Sequence, residues 1–173
     1  FIATHLPNYA ISCGLTAEAG AFGLALIGLF NMIGSLVAGW MGGRIPHRYI
    51  LSAIYGLRAV AIVVFMAFPV TEWTLYLFTA VFGLLWLSTV PGTNSIVAIL
   101  FGPKFVGMLF GIVFFSHQLG AFLGAWMAGL LYEIHGDYDL VWWISIALGI
   151  AAAVVHLPIK EQLSTQLTPA TAS

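Results

Sequence analysis

Residues 39–51 read GWMGGRIPHRYIL. Two arginines, Arg44 and Arg48, stand four positions apart between long apolar runs, in a chain of 173 residues with only five Lys plus Arg. Charge this scarce, gathered between two apolar runs, reads as a loop joining two membrane spans.

The rest of the chain agrees with that reading. Charged residues make up 6%, hydrophobic residues 61%, and the mean hydropathy is +1.04, whereas a soluble domain carries about 25% charge. Apolar stretches near 19–41, 49–69, 74–101, 106–132 and 140–158 each reach the ~20 helical residues that cross a ~30 Å hydrocarbon core. The runs are continuous rather than alternating, which favours helices over a membrane barrel. Ahead of them, FIATHLPNYAIS (residues 1–12) rises only ~18 Å as helix and reads as a partial first span. The expected fold is an all-α integral membrane bundle of five full spans plus a partial one. Residues 159–173 have the polar, Pro/Thr/Ser-rich look of a disordered cytoplasmic tail. The chain starts at Phe1 with no basic leader segment, and it reads as a piece of something longer.

With these spans, Arg44, Arg48, Lys104 and Lys160 share one side of the membrane, while Glu18, Glu72, Glu133, Asp137 and Asp139 lie on the other. The positive-inside rule makes the 42–48 loop cytoplasmic. A net charge of −1 provides no basic field, which excludes nucleic acid as a partner. The single cysteine, Cys13, allows no internal disulfide and reads as packing. His47, His135 and His156 lie at span ends on different sides, so they assemble no metal site. An intramembrane enzyme would need a nucleophile with a base, or paired carboxylates, and no Asp or Glu lies inside a span. No catalytic residue, cofactor or metal is expected.

Several residues inside the spans can carry chemistry. Arg58 lies nine residues into its span, ~14 Å along the helix and near the midplane, where a guanidinium costs about 2.5–3.5 kcal/mol to insert. It must snorkel, meet backbone carbonyls, or face an anion that its planar fork can bind bidentately. In STVPGTNS (residues 88–95), Pro91 and Gly92 open the helix beside Thr93 and Asn94, either as a simple kink or as a cavity wall. Pro7 is expected to make a second break, beside Thr4, His5, Asn8 and Tyr9. His117 and Gln118 lie mid-span. His117 shares a face with Gly120, Gly124 and Ala128, which points it into a tight helix contact, with proton relay as the alternative. Gly107, Gly111, Gly120, Gly124, Gly34 and Gly39 read as packing seams.

The opening stretch also resembles the loop signature of the major facilitator superfamily, Gly-x-x-x-Asp-Arg/Lys-x-Gly-Arg/Lys-Arg/Lys. Gly39, Arg44 and Arg48 fall on its positions; Gly43 stands where the family has Asp and Pro46 where it has Gly. GLLWLSTVPGTNS and FGIVFFSHQLGAFLGAWMAGLLYEIHG look like the tenth and eleventh helices of bacterial members near the monocarboxylate and oxalate/formate branch. The resemblance implies a C-terminal six-helix half that works with an N-terminal half by alternating access. It implies a small-solute substrate, an organic anion such as a monocarboxylate, with a proton as candidate co-substrate, in a bacterial inner (plasma) membrane. Substrate contacts are then expected at Arg58, Thr93, Asn94, His117, Gln118, His5 and Asn8, and gate contacts at Gly39, Gly43, Arg44 and Arg48. An accessory membrane subunit with a structural role only is the rival reading.

Overall fold

A computed structural model describes residues 1–161. It contains α1 (Ile2–Ser12), α2 (Ala17–Gly42), α3 (His47–Ala67), α4 (Glu72–Trp86), α5 (Thr89–Phe101), α6 (Val106–His135) and α7 (Asp139–His156), with a 3-10 turn over Pro103–Phe105. Five helical segments among the described residues are long and apolar enough to cross a membrane: Ala17–Gly42, His47–Ala67, Glu72–Phe101, Pro103–His135 and Asp139–His156. The chain is an integral, multi-pass membrane protein.

Local signals set the helix ends. The Thr16 hydroxyl accepts from the Ala19 N–H at 3.1 Å and starts α2. Thr71 and Thr74 cap each other reciprocally at the head of α4, satisfying two of the donors that a helix start leaves free. Gly136, at φ +78, closes α6 in the left-handed region that glycine enters without a Cβ penalty.

The fourth span is two helices. Pro91 has no N–H for the Leu87 carbonyl, and its ring crowds that carbonyl, so the helix parts at Leu87–Ser88 and restarts with Pro91 in its first turn. The opening thus lies four residues ahead of the proline rather than at Pro91–Gly92. Asn31 of α2 covers it by accepting from the Leu87 N–H at 2.9 Å, and the Ser88 hydroxyl donates to the Leu84 carbonyl. Pro7 does the opposite of what was expected. It lies inside an unbroken α1, where its ring is the surface that α2 approaches: a Cβ on Gly20 would stand 2.8 Å from the Pro7 Cα.

Two helix pairs form the body of the fold. α2 lies along α4 with glycine on both sides of the contact. A Cβ on Gly83 would meet the Ile27 carbonyl oxygen at 2.7 Å, and one on Gly34 would overlap the Leu84 carbonyl. α3 lies along α7 through Ala59 and Gly149. Between the pairs, Phe65, Phe78, Phe82 and Trp142 form the buried core, with the Phe65 and Phe78 rings stacked at 4.2 Å between centroids.

α6 stands apart. Its one fully buried side chain is Ala128. Cβ atoms on Gly107, Gly111, Gly120 or Gly124 would meet nothing within 4 Å, and the same is true of Gly39. Of the expected glycine seams, Gly34 packs and these do not, because no other helix of this chain lies against them. Cys13 is exposed rather than packed.

The ends of α3 and α7 meet on the side assigned to the cytoplasm. With Cys13 replaced by Ser, a cysteine introduced at Ile45 or Lys104 should react with a membrane-impermeant maleimide only after the cytoplasmic face is opened. One at Asp137 should react from outside; labelling of position 137 from the cytoplasmic side would contradict the topology.

Candidate functional site

The opening between α4 and α5 leaves the last carbonyls of α4 without helical partners. Arg58 takes them. Its Nε donates to the Leu85 carbonyl at 3.0 Å, and Nη2 donates to the carbonyls of Leu85 and Trp86. Its guanidinium carbon also lies 5.1 Å from the Tyr55 ring centroid. Of the three roles open to Arg58, contact with backbone carbonyls is therefore realised. The C-terminal end of α4 offers about −0.5 of an elementary charge, so the guanidinium is only partly compensated.

Arg58 also lines a cavity of about 690 Å³ to which α1, α3, α4, α5, α6 and α7 all contribute. Its other polar lining side chains include Tyr55, Thr93, Ser116, His117, Ser145 and His156. Among the described residues, none that lines it carries a carboxylate. Thr93 faces it while its hydroxyl donates back to the Thr89 carbonyl at 2.8 Å, so the position belongs to the wall and the hydroxyl to the helix. His117 is exposed to the cavity, stacked beside Phe114 at 6.1 Å, and bonded to none of the described residues. The helix contact expected for it is absent because α6 has no neighbour on that face.

The remaining expected contacts lie elsewhere. Asn94, Gln118 and Asn8 are exposed outside the cavity wall, as is Thr4. His5 ties α1 to the far end of α6: its Nε2–H donates to the Ala125 carbonyl at 3.0 Å, and its Nδ1 pairs with the Tyr138 hydroxyl at 3.3 Å. Tyr9 packs against Phe65, Tyr138 and Trp142.

A second constellation forms at the 43–48 loop. Arg44 curls back along α2, donating to the Trp40 carbonyl at 3.3 Å with its guanidinium 3.9 Å from the Trp40 ring centroid. Glu161 arrives from the other end of the chain. Its Oε1 accepts from the Arg48 N–H at 2.7 Å and its Oε2 from the His47 N–H at 3.1 Å, with His47 Nδ1 at 3.3 Å. Arg48 returns the contact through Nη1 to the Ile159 carbonyl at 2.9 Å. Residues 159–161 are thus held on the start of α3 instead of belonging to a disordered tail; the rest of that expectation, 162–173, lies outside the described residues.

Burial by itself pushes the Glu161 carboxyl up, but the N–H groups of Arg48 and His47, together with the His47 side chain, outweigh it and hold the group below its ordinary value. A carboxylate depressed on folding stabilises the fold above its unfolded pKa, and that contribution disappears as the pH falls through the lower, folded value. Glu161→Gln should therefore flatten the acid limb of thermal stability in micelles, while the protein with Glu161 intact loses stability below the ordinary carboxylate range. An acid limb identical in both would contradict this capping role.

The family model described as the Major Facilitator Superfamily matches residues 1–172. The chain belongs to the major facilitator superfamily. Among the superfamily's curated members, an uncharacterized MFS-type transporter, YcxA, of Bacillus subtilis is 25% identical over 152 residues, which is 84% of this chain and 37% of that protein. Monocarboxylate transporter 12 of Xenopus laevis is 26% identical over 173 residues, 91% of this chain and 37% of its own length. Monocarboxylate transporter 13 of Rattus norvegicus is 24% identical over 164 residues, 92% of this chain and 38% of its own. The chain thus spans well under half the length of the superfamily relatives it matches.

Residues that only the fold brings to these sites are Tyr55, His156, Asn31 and Glu161. Tyr55 had a signal in the sequence, one turn before Arg58 on the same helix face.

Proposed function

We propose that this chain forms the C-terminal half of a secondary transporter that carries a small organic anion, such as a monocarboxylate, by alternating access with a complementary N-terminal half. One observation carries the reading: among the described residues, the cavity wall holds the Arg58 guanidinium and two imidazoles but no carboxylate. A partly compensated guanidinium in a low-dielectric setting favours an anion, and its fork matches a carboxylate. Arg58 is the anion contact, with Thr93 and His117 beside it in the wall. His117 is the group that would accept a co-transported proton, since imidazole changes charge near neutral pH.

The parted span gives the motion a place to occur. Asn31, Ser88 and Arg58 hold one arrangement of the α4–α5 opening through hydrogen bonds, and hydrogen bonds can exchange partners when an anion competes for Arg58. Arg44 and Arg48 at the cytoplasmic loop, with Gly39 and Gly43, form the gate segment, and Glu161 supplies there a carboxylate that the loop itself lacks. The likeness to curated monocarboxylate transporters supports the substrate class, and that to YcxA supports a bacterial plasma membrane.

Uptake of radiolabelled lactate into proteoliposomes tests the reading. Flux should require both the chain and a complementary N-terminal half of a superfamily transporter, and an amine of similar size should not be carried. Lactate flux equal to that of protein-free liposomes, with both halves inserted, would favour an accessory, structural role.

A further inference from the structure

The cavity has more aromatic surface than a short-chain acid can use. On α6, Phe110, Phe114 and His117 follow at i, i+4 and i+7, which places their rings on one helix face. Their planes run nearly parallel: Phe110 and Phe114 are 6.3 Å apart at 27°, Phe114 and His117 6.1 Å apart at 29°. In the same wall, Tyr55 of α3 and His156 of α7 pair at 5.1 Å and 30°, and Arg58 lies against the Tyr55 ring. Small residues, among them Gly149, Ala152 and Ala121 of the lining, leave room between these groups. The volume, about 690 Å³, falls within the ~300–1,000 Å³ of sites that enclose drug-sized ligands.

We propose that the preferred substrate of this cavity is a carboxylate with an aromatic ring: its carboxylate is held at Arg58 and its ring packs against the Phe110–Phe114–His117 ladder. The proposal rests on the reading of the cavity as an anion site. Charge divides the work between the two walls. The Phe110 and Phe114 faces carry negative quadrupole potential, so they repel a carboxylate from their surface and leave Arg58 as the anion's place. The same faces attract the edges of another ring and accept offset stacking. Half-exposed Phe114 then has a function that bundle packing does not give it, because the described residues leave it uncovered.

Equilibrium binding of radiolabelled phenylacetate to the intact protein in lipid nanodiscs tests this. Unlabelled phenylacetate should displace the label at a concentration at least tenfold lower than lactate does, and 2-phenylethylamine should fail to displace it. Equal potency of lactate and phenylacetate would overturn the ring preference and leave the anion reading standing. Displacement by 2-phenylethylamine as effective as by phenylacetate would overturn the anion reading instead. Absence of any binding would overturn both. Phe114→Leu keeps an apolar side chain but removes the ring, and should bring the phenylacetate and lactate potencies several-fold closer; an unchanged ratio in a folded variant would remove the ladder from the site.

Discussion

Arg58→Gln is expected to abolish anion binding and uptake while the protein still inserts. Gln retains a donor for the Leu85 and Trp86 carbonyls but removes the only permanently charged side chain that the described residues place in the cavity wall. Loss of one member of a buried, hydrogen-bonded charge pair costs about 2–5 kcal/mol, roughly 30-fold to several thousand-fold in affinity. Arg58→Lys keeps the charge and loses the fork, so it should bind carboxylates with intermediate affinity. The comparison separates charge from geometry, because the neutral variant should be the weaker by a wide margin. Normal anion affinity in a monodisperse Arg58→Gln protein would mean that Arg58 serves only to close the end of α4.

The second large effect is expected at Gly34. A Cβ there falls on the Leu84 carbonyl and lies 2.6 Å from the Ser88 hydroxyl. The obstacle is backbone, so α2 and α4 would have to separate, and overpacking of this kind costs about 1–3 kcal/mol for added methylenes. The damage should also spread, since the Ser88 bond to Leu84 and the carbonyls that hold Arg58 lie in the same turn. Gly34→Leu should yield little folded protein, and Gly34→Ala should lower the melting temperature in detergent measurably. Gly39→Ala, in the same helix, meets nothing within 4 Å and should be near neutral. Equal melting temperatures for Gly34→Ala and Gly39→Ala would refute the α2–α4 contact as described.

These two glycines show where a sequence reading stops. Gly34, Gly39 and the α6 glycines all read as packing seams, yet among them only Gly34 has a described helix against it. The spacing reports that a close approach is possible, and tertiary neighbours decide whether one occurs. The two prolines divide in the same way. Pro91 parts its span because the freed groups find Asn31 and Arg58 as partners, whereas Pro7 stays helical in a short helix against Gly20. The bundle and its spans were legible because hydrocarbon thickness and apolar run length answer to each other directly. So was Arg58, since a lone mid-span cation must have a partner. Glu161 was not, because its carboxylate reaches Arg48 across 113 residues of chain, and no local pattern carries that pairing. Tyr55 and His156 reach the cavity only through the packing of α3 on α7.

The central claim, that the Arg58 guanidinium holds the carboxylate of the transported anion, can be measured directly. The chain has only three arginines, Arg44, Arg48 and Arg58, so arginine labelled with nitrogen-15 gives few signals in membranes. Solid-state dipolar recoupling between those nitrogens and a carbon-13 carboxylate on bound phenylacetate or lactate reports their separation. The account predicts dephasing that corresponds to contact within ~4 Å, lost in Arg58→Lys and kept when Arg44 and Arg48 are replaced. Bound, labelled anion with no dephasing from Arg58 would contradict it.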